Sequence, residues 1–124
     1  MKKRLSFILF LIACFIAPVY ANNNCNSETL SVLTSAVKTF TAASIVDTTK
    51  HQQIADVAYC SVSVGAINFT MDGTTPTTGS TGVGHPIAVG QTFSVTGIAY
   101  IRAVQMIAQS TTATVYCTYS FDRE

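Results

Sequence analysis

The stretch Ala58-Tyr59-Cys60-Ser61-Val62-Ser63-Val64 decides the fold class. Its alternate positions Ala58, Cys60, Val62 and Val64 are apolar, and the residues between them all carry hydroxyls. Successive side chains of an extended chain point to opposite faces, so the pattern predicts a strand with one face in a core and the other in water. Val115-Tyr116-Cys117-Thr118-Tyr119 repeats it near the C-terminus, with Val115, Cys117 and Tyr119 sharing a face. Each strand therefore turns a Cys inward. A Cys60–Cys117 bridge is within reach if the two strands are neighbours or face one another. The other reading is two buried, inert thiols, because Cys is among the most buried residue types.

Working outward, the rest of the chain also reads as short strands. Leu30 to Phe40 is rich in β-branched residues and predicts one or two strands, although Leu30, Leu33 and Val37 also fit a helical spacing. The polar Asn22 to Ser27 is expected to fray, and Thr41 to Gln53 to be an irregular connection. A long strand is expected over Ile54 to Val64, a bend at Gly65-Ala66 and a continuing strand from Ile67 to Met71. Asp72 to Pro86 holds Gly73, Gly79, Gly82 and Gly84 together with Pro76 and Pro86, which predicts a surface loop. Further strands are expected at Thr92–Val95, Ile101–Ala108 and Ala113–Phe121. Six to eight short strands without a long helix predict an all-β fold, a single antiparallel β-sandwich or jelly roll.

The N-terminus has a different composition. Lys2, Lys3 and Arg4 precede the 13-residue apolar run Leu5–Ala17, and Val19-Tyr20-Ala21 fits a cleavage site. That is the layout of a secretory signal peptide over residues 1–21, and the run is shorter than the ~20 residues of a membrane span. A second processing route would cut and acylate at Cys14, after Leu11-Ile12-Ala13, but Phe15 and Ile16 continue the apolar run past it. Cleavage after Ala21 leaves residues 22–124, one domain of 103 residues. The formal charge of +1 then falls to −2, with four Lys and Arg against six Asp and Glu. Such a chain lacks the basic surface that nucleic-acid binding requires, and membrane contact is expected only through the leader. Thr and Ser contribute 18 and 10 of the 103 residues, which favours strands with hydroxylated faces. In the oxidising compartment that export implies, Cys25 is expected to stay free or to pair between chains.

Phe69-Thr70-Met71-Asp72-Gly73-Thr74-Thr75-Pro76-Thr77, Gly84-His85-Pro86, Gly90-Gln91-Thr92-Phe93, Ile101-Arg102-Ala103-Val104 and Ala113–Tyr119 together resemble small structural proteins encoded in the virion gene clusters of tailed bacteriophages and prophages. The likeness spans roughly Ile54 to Tyr119. It implies a compact β-fold that packs against copies of itself or other structural proteins. The leader departs from that pattern, because tailed-phage virion parts assemble in the cytoplasm.

Reactive groups are sparse. His51 and His85 are the imidazoles of the chain. Neither lies in a His-x-x-x-His or Cys-x-x-Cys spacing, so a metal site is not expected. No nucleophile elbow or Cys-His pairing motif occurs, and Asp72 before Gly73 reads as a turn residue whose carboxylate bonds local N–H groups. Gly79, Gly82 and Gly84 lack the Lys and helix of a phosphate loop. The sequence therefore predicts a secreted, non-enzymatic structural or assembly protein without a cofactor, whose partner is itself or another structural protein. The alternatives are a binding module for a glycan or surface receptor, or an envelope protein that blocks a receptor. The expected interaction loop comprises Asp72, Gly73, Thr74, Pro76 and His85.

Overall fold

The computed structural model describes residues 25–48 and 53–121. The expected leader with Cys14, and His51 with Lys50, lie outside the described residues. Strands β1 (Cys25–Val32), β4 (Val57–Val64), β7 (Thr92–Thr96) and β9 (Ala113–Ser120) form a four-stranded sheet in the order β1-β9-β4-β7. Strands β5 (Ile67–Thr70), β6 (His85–Ile87) and β8 (Gln105–Ala108) form a second sheet in the order β6-β5-β8. A two-stranded piece pairs β2 (Val46–Asp47) with β3 (Gln53–Ile54). All these pairings are antiparallel, so the all-β class expected from the alternation holds.

Alternation explains the core. The inward positions of the large sheet, among them Leu30, Val32, Ala58, Val62, Val95 and Val115, are buried. They share one apolar cluster with Ile67 and Phe69 of β5 and Met106 and Ala108 of β8. Burying a side chain of this size stabilises the fold by roughly 1.5–3 kcal/mol. Tyr119 is fully buried and meets Phe40 edge-on, with ring centroids 5.2 Å apart. Phe69 stacks on Phe93 at 4.6 Å. Gly65, at φ 65°, makes the turn from β4 into β5 under the Thr112 carbonyl, where a Cβ would stand 2.9 Å from that oxygen.

Several sequence expectations are corrected. Cys25 to Ser27 is not frayed, because these first residues of β1 pair with Ser120, Tyr119 and Thr118 of β9. The strand expected from Leu30 ends at Val32, and Leu33 and Val37 are exposed. Val64 leaves the inward face because the register with β9 shifts between Val62 and Val64, and it is exposed. Ile54 is separated from β4 and belongs to β3. Ile101–Ala108 is not one strand. Gly97, at φ 104°, opens the helix α1 (Ile98–Ala103), its carbonyl accepts the Ile101 N–H at 3.0 Å, and Ile101 is buried against the core. Burial of one face outweighs the modest β preference of Ile98 and Ile101. His85 and Pro86 lie in β6 rather than in the loop. A proline is compatible there because β6 is an edge strand.

Candidate interaction surface

Cys60 and Cys117 stand opposite each other on β4 and β9 and are joined by a disulfide, with Cα atoms 4.2 Å apart. Both are buried, as the alternation predicted. The close Cα spacing marks a pair without mutual backbone hydrogen bonds, since hydrogen-bonded antiparallel pairs lie nearer 5.5 Å. The Val62 N–H supports this parity, because it donates away from β9, to the Gln91 carbonyl at 3.0 Å. The backbone groups of Cys117 consequently face β1, where Glu28 is the partner. Along β1, Asn26, Glu28, Leu30 and Val32 therefore bond to β9. Cys25, Ser27, Thr29 and Ser31 turn their N–H and C=O groups outward, at the open edge of the sheet. By the same parity Phe93 and Val95 of β7 bond to β4, and Thr92, Ser94 and Thr96 face the opposite open edge.

These outward-facing residues also define the outer face of the sheet. Ser27, Thr118, Tyr59 and Ser94 form one cross-strand row; Thr29, Tyr116, Ser61 and Thr92 form the next. The face carries hydroxyls and two half-exposed tyrosines, and none of its described residues is charged. A shallow groove of about 550 Å³ runs across it between β9, β4 and β7. The charged residue of β1, Glu28, points to the other side. Its Oε1 accepts the Tyr119 hydroxyl and, at 3.1 Å, the Thr41 N–H; its Oε2 accepts the Ser44 hydroxyl at 3.1 Å. Burial, then the hydrogen bond and charge of Glu28, push the Tyr119 phenol far above its ordinary value, so it remains a donor. Asn26 adds bonds to the carbonyls of Ser44 and Val46. The inner face of β1 is thereby fastened to segment 41–46 while its edge stays open.

The loop expected to interact is braced from within. Buried Asn68 donates to the carbonyls of Thr77 at 2.7 Å and Gly79 at 2.8 Å, and its Oδ1 accepts Gln109 Nε2 at 2.9 Å. Asn68-Phe69-Thr70 has the spacing of a glycosylation sequon, but these internal bonds already occupy the Asn68 amide. Gly82 passes so close to Thr77 that a Cβ would meet its carbonyl oxygen at 2.4 Å. Asp72 Oδ1 accepts the Thr74 N–H at 3.0 Å, which, ahead of the Thr74 hydroxyl, holds the carboxyl below its usual value. Thr74 gives its carbonyl to the Thr70 hydroxyl. Asp72, Thr74 and His85 line a second depression of about 380 Å³ with Tyr100. His85 leans on Phe69, with ring centroids 5.5 Å apart. Pro76 is fully buried and is no part of an exposed loop surface, and Gly73 stands in open space at φ 83°.

Cys25 is a free, exposed thiol at the first position of β1. Among the described residues, no group of three or more His, Cys, Asp or Glu side chains could hold a metal ion. Sequence reading missed the charge-free face and the Glu28 clamp. The signal for the face was present, because the hydroxyls of β4 and Thr92-x-Ser94-x-Thr96 alternate as regularly as the apolar residues. The clamp had no local signal, since Glu28 and Tyr119 are 91 positions apart.

No protein-family model matches the chain, and no curated protein matches it. One solved structure, described as belonging to Bacillus endospore appendages that form a family of disulfide-linked pili, aligns at 12% identity and a TM-score of 0.39. The alignment covers 80% of this chain and 87% of that one.

Proposed function

We propose that the protein is a secreted, non-catalytic structural subunit that assembles by adding sheet edge to sheet edge. The observation that carries this reading is the pair of open edges, β1 and β7, on one four-stranded sheet. Edge strands are ordinarily guarded by charge, proline or a bulge. Neither β1 nor β7 contains a proline, and the carboxylate of Glu28 is drawn inward. Four antiparallel strands also put β1 and β7 in opposite directions. A second copy in the same orientation would therefore set its β1 antiparallel to β7 and continue the alternation. Such contact between two different surfaces is open-ended and builds filaments rather than closed dimers.

The buried disulfide supports maturation in an oxidising compartment, in keeping with an exported chain. Cys25, at the head of β1, is the thiol available for a link between chains. The finer reading, a subunit akin to the structural proteins of tailed-phage virion clusters, rests on the Asp72–Thr77 and Gly84–Pro86 pattern. Analytical ultracentrifugation of the mature protein tests assembly. Species that grow with concentration are expected, and Thr29→Pro should yield monomers with an unchanged fold, because the Thr29 N–H faces away from β9 and bonds to no described residue. Monomers at every concentration would overturn the proposal.

A further inference from the structure

We propose that the groove on the outer face of the four-stranded sheet binds a neutral glycan chain. Tyr59 and Tyr116 are 59% and 50% exposed, and sit diagonally on β4 and β9, since Tyr59 pairs with Thr118 and Ser61 with Tyr116. Diagonal neighbours lie roughly 7–8 Å apart, within reach of a single extended ligand. Ser61, Thr92, Ser94 and Thr118 line the same groove. A sugar ring offers an apolar C–H face bordered by hydroxyls that both donate and accept. Tyrosine presents an apolar ring with a polar tip, and Ser and Thr hydroxyls rotate to suit either role.

The absent charge selects among partners. Polyanions and charged peptides would find nothing to neutralise on this face, and a neutral chain loses no ion pairing by leaving water. A second copy of the subunit could use the two tyrosines but would bury the hydroxyls of Ser61, Thr92, Ser94 and Thr118, each of which would then need a partner that a sugar's own hydroxyls supply directly. The braced loop 72–86, by contrast, contains no Trp, Tyr or Phe. The groove lies on β4, β7 and β9 and faces out of the sheet plane, so a neighbour joined edge to edge leaves it open. The inference does not depend on assembly.

Affinity electrophoresis of the mature protein through gels containing amylose, mannan or soluble chitosan-free chito-oligosaccharide conjugates tests it, with heparin as the anionic comparison. Retardation by at least one neutral glycan is expected, insensitive to salt. Tyr59→Ala and Tyr116→Ala should each weaken it by about tenfold, whereas Tyr116→Phe retains the ring and most of the binding. Ser94→Glu, which keeps both rings and adds charge at an exposed position, should also abolish it, and Ser31→Ala on β1 should change nothing. No retardation by any neutral glycan would overturn the proposal, as would retardation unaltered in the Tyr59→Ala/Tyr116→Ala double variant. Binding confined to heparin and lost in salt, or a self-association abolished by the double variant, would assign the groove to another partner and overturn it equally.

Discussion

Glu28 shows how one side chain separates the two sides of a strand. Its carboxylate gathers the Tyr119 hydroxyl, the Thr41 N–H and the Ser44 hydroxyl on the inner side of β1. Tyr119→Phe removes one donor from this cluster while preserving the ring against Phe40. It should lower the unfolding free energy in urea by about 1–2 kcal/mol. Asn68 acts similarly on the loop, and Asn68→Ala leaves the Thr77 and Gly79 carbonyls without their donor. A loss of about 1–3 kcal/mol is expected, with new proteolytic cleavage between residues 72 and 84. Asp72 sets the sign of an acid effect. Its folded pKa lies below the unfolded one, so its contribution is whole above the unfolded value and disappears as pH falls through the folded one. Asp72→Asn keeps an acceptor for the Thr74 N–H and should flatten that part of the stability-against-pH curve, measured by thermal unfolding between pH 5 and 2.

At the scale of elements, the β4–β9 pair is the centre of the sheet and carries the disulfide, which spans a sequence separation of 57. Closing a loop of that length removes about 4 kcal/mol of unfolded-state entropy in the chain-entropy model. Cys60→Ala/Cys117→Ala should therefore lower stability by about 2–5 kcal/mol, read as a shift in the denaturation midpoint. This pair was also the most legible part of the sequence, because strict alternation fixes both the strand and the face on which each Cys lies. Less was legible where tertiary packing decides. Ile98 to Ala103 has no side-chain cap at its N-terminus and is helical because Gly97 turns the chain and Ile101 finds the core. The shift that expels Val64 follows from the register with β9, and Cys25 to Ser27 is ordered by strand pairing with residues more than 90 positions away and by the Asn26 bonds to Ser44 and Val46. The loop ends at Gly84 rather than Pro86, where β6 begins, and its anchors, Asn68 and Gln109, lie on either side of it in sequence. The sheet face went unread because attention to the apolar half of an alternating pattern passes over its polar half.

For the whole molecule, the expected leader and the open edges bear on the proposed assembly. N-terminal sequencing of the exported protein should begin at Asn22, and a lipidated start at Cys14 would replace that processing with the lipoprotein route. Under the proposed assembly, the outward N–H and C=O groups of β1 and β7, which pair with no strand among the described residues, would be satisfied by a same-oriented copy without refolding either subunit. Residue-resolved amide hydrogen exchange across protein concentration tests that claim most directly, because backbone protection reports which N–H groups enter a bond. The account predicts that the Ser27, Thr29 and Ser31 amides of β1, with Ser94 of β7, exchange quickly in dilute protein and become protected as it associates, while the Leu30 and Val32 amides are protected throughout. Association that leaves the β1 and β7 edge amides exchanging as fast as in the dilute protein would contradict it.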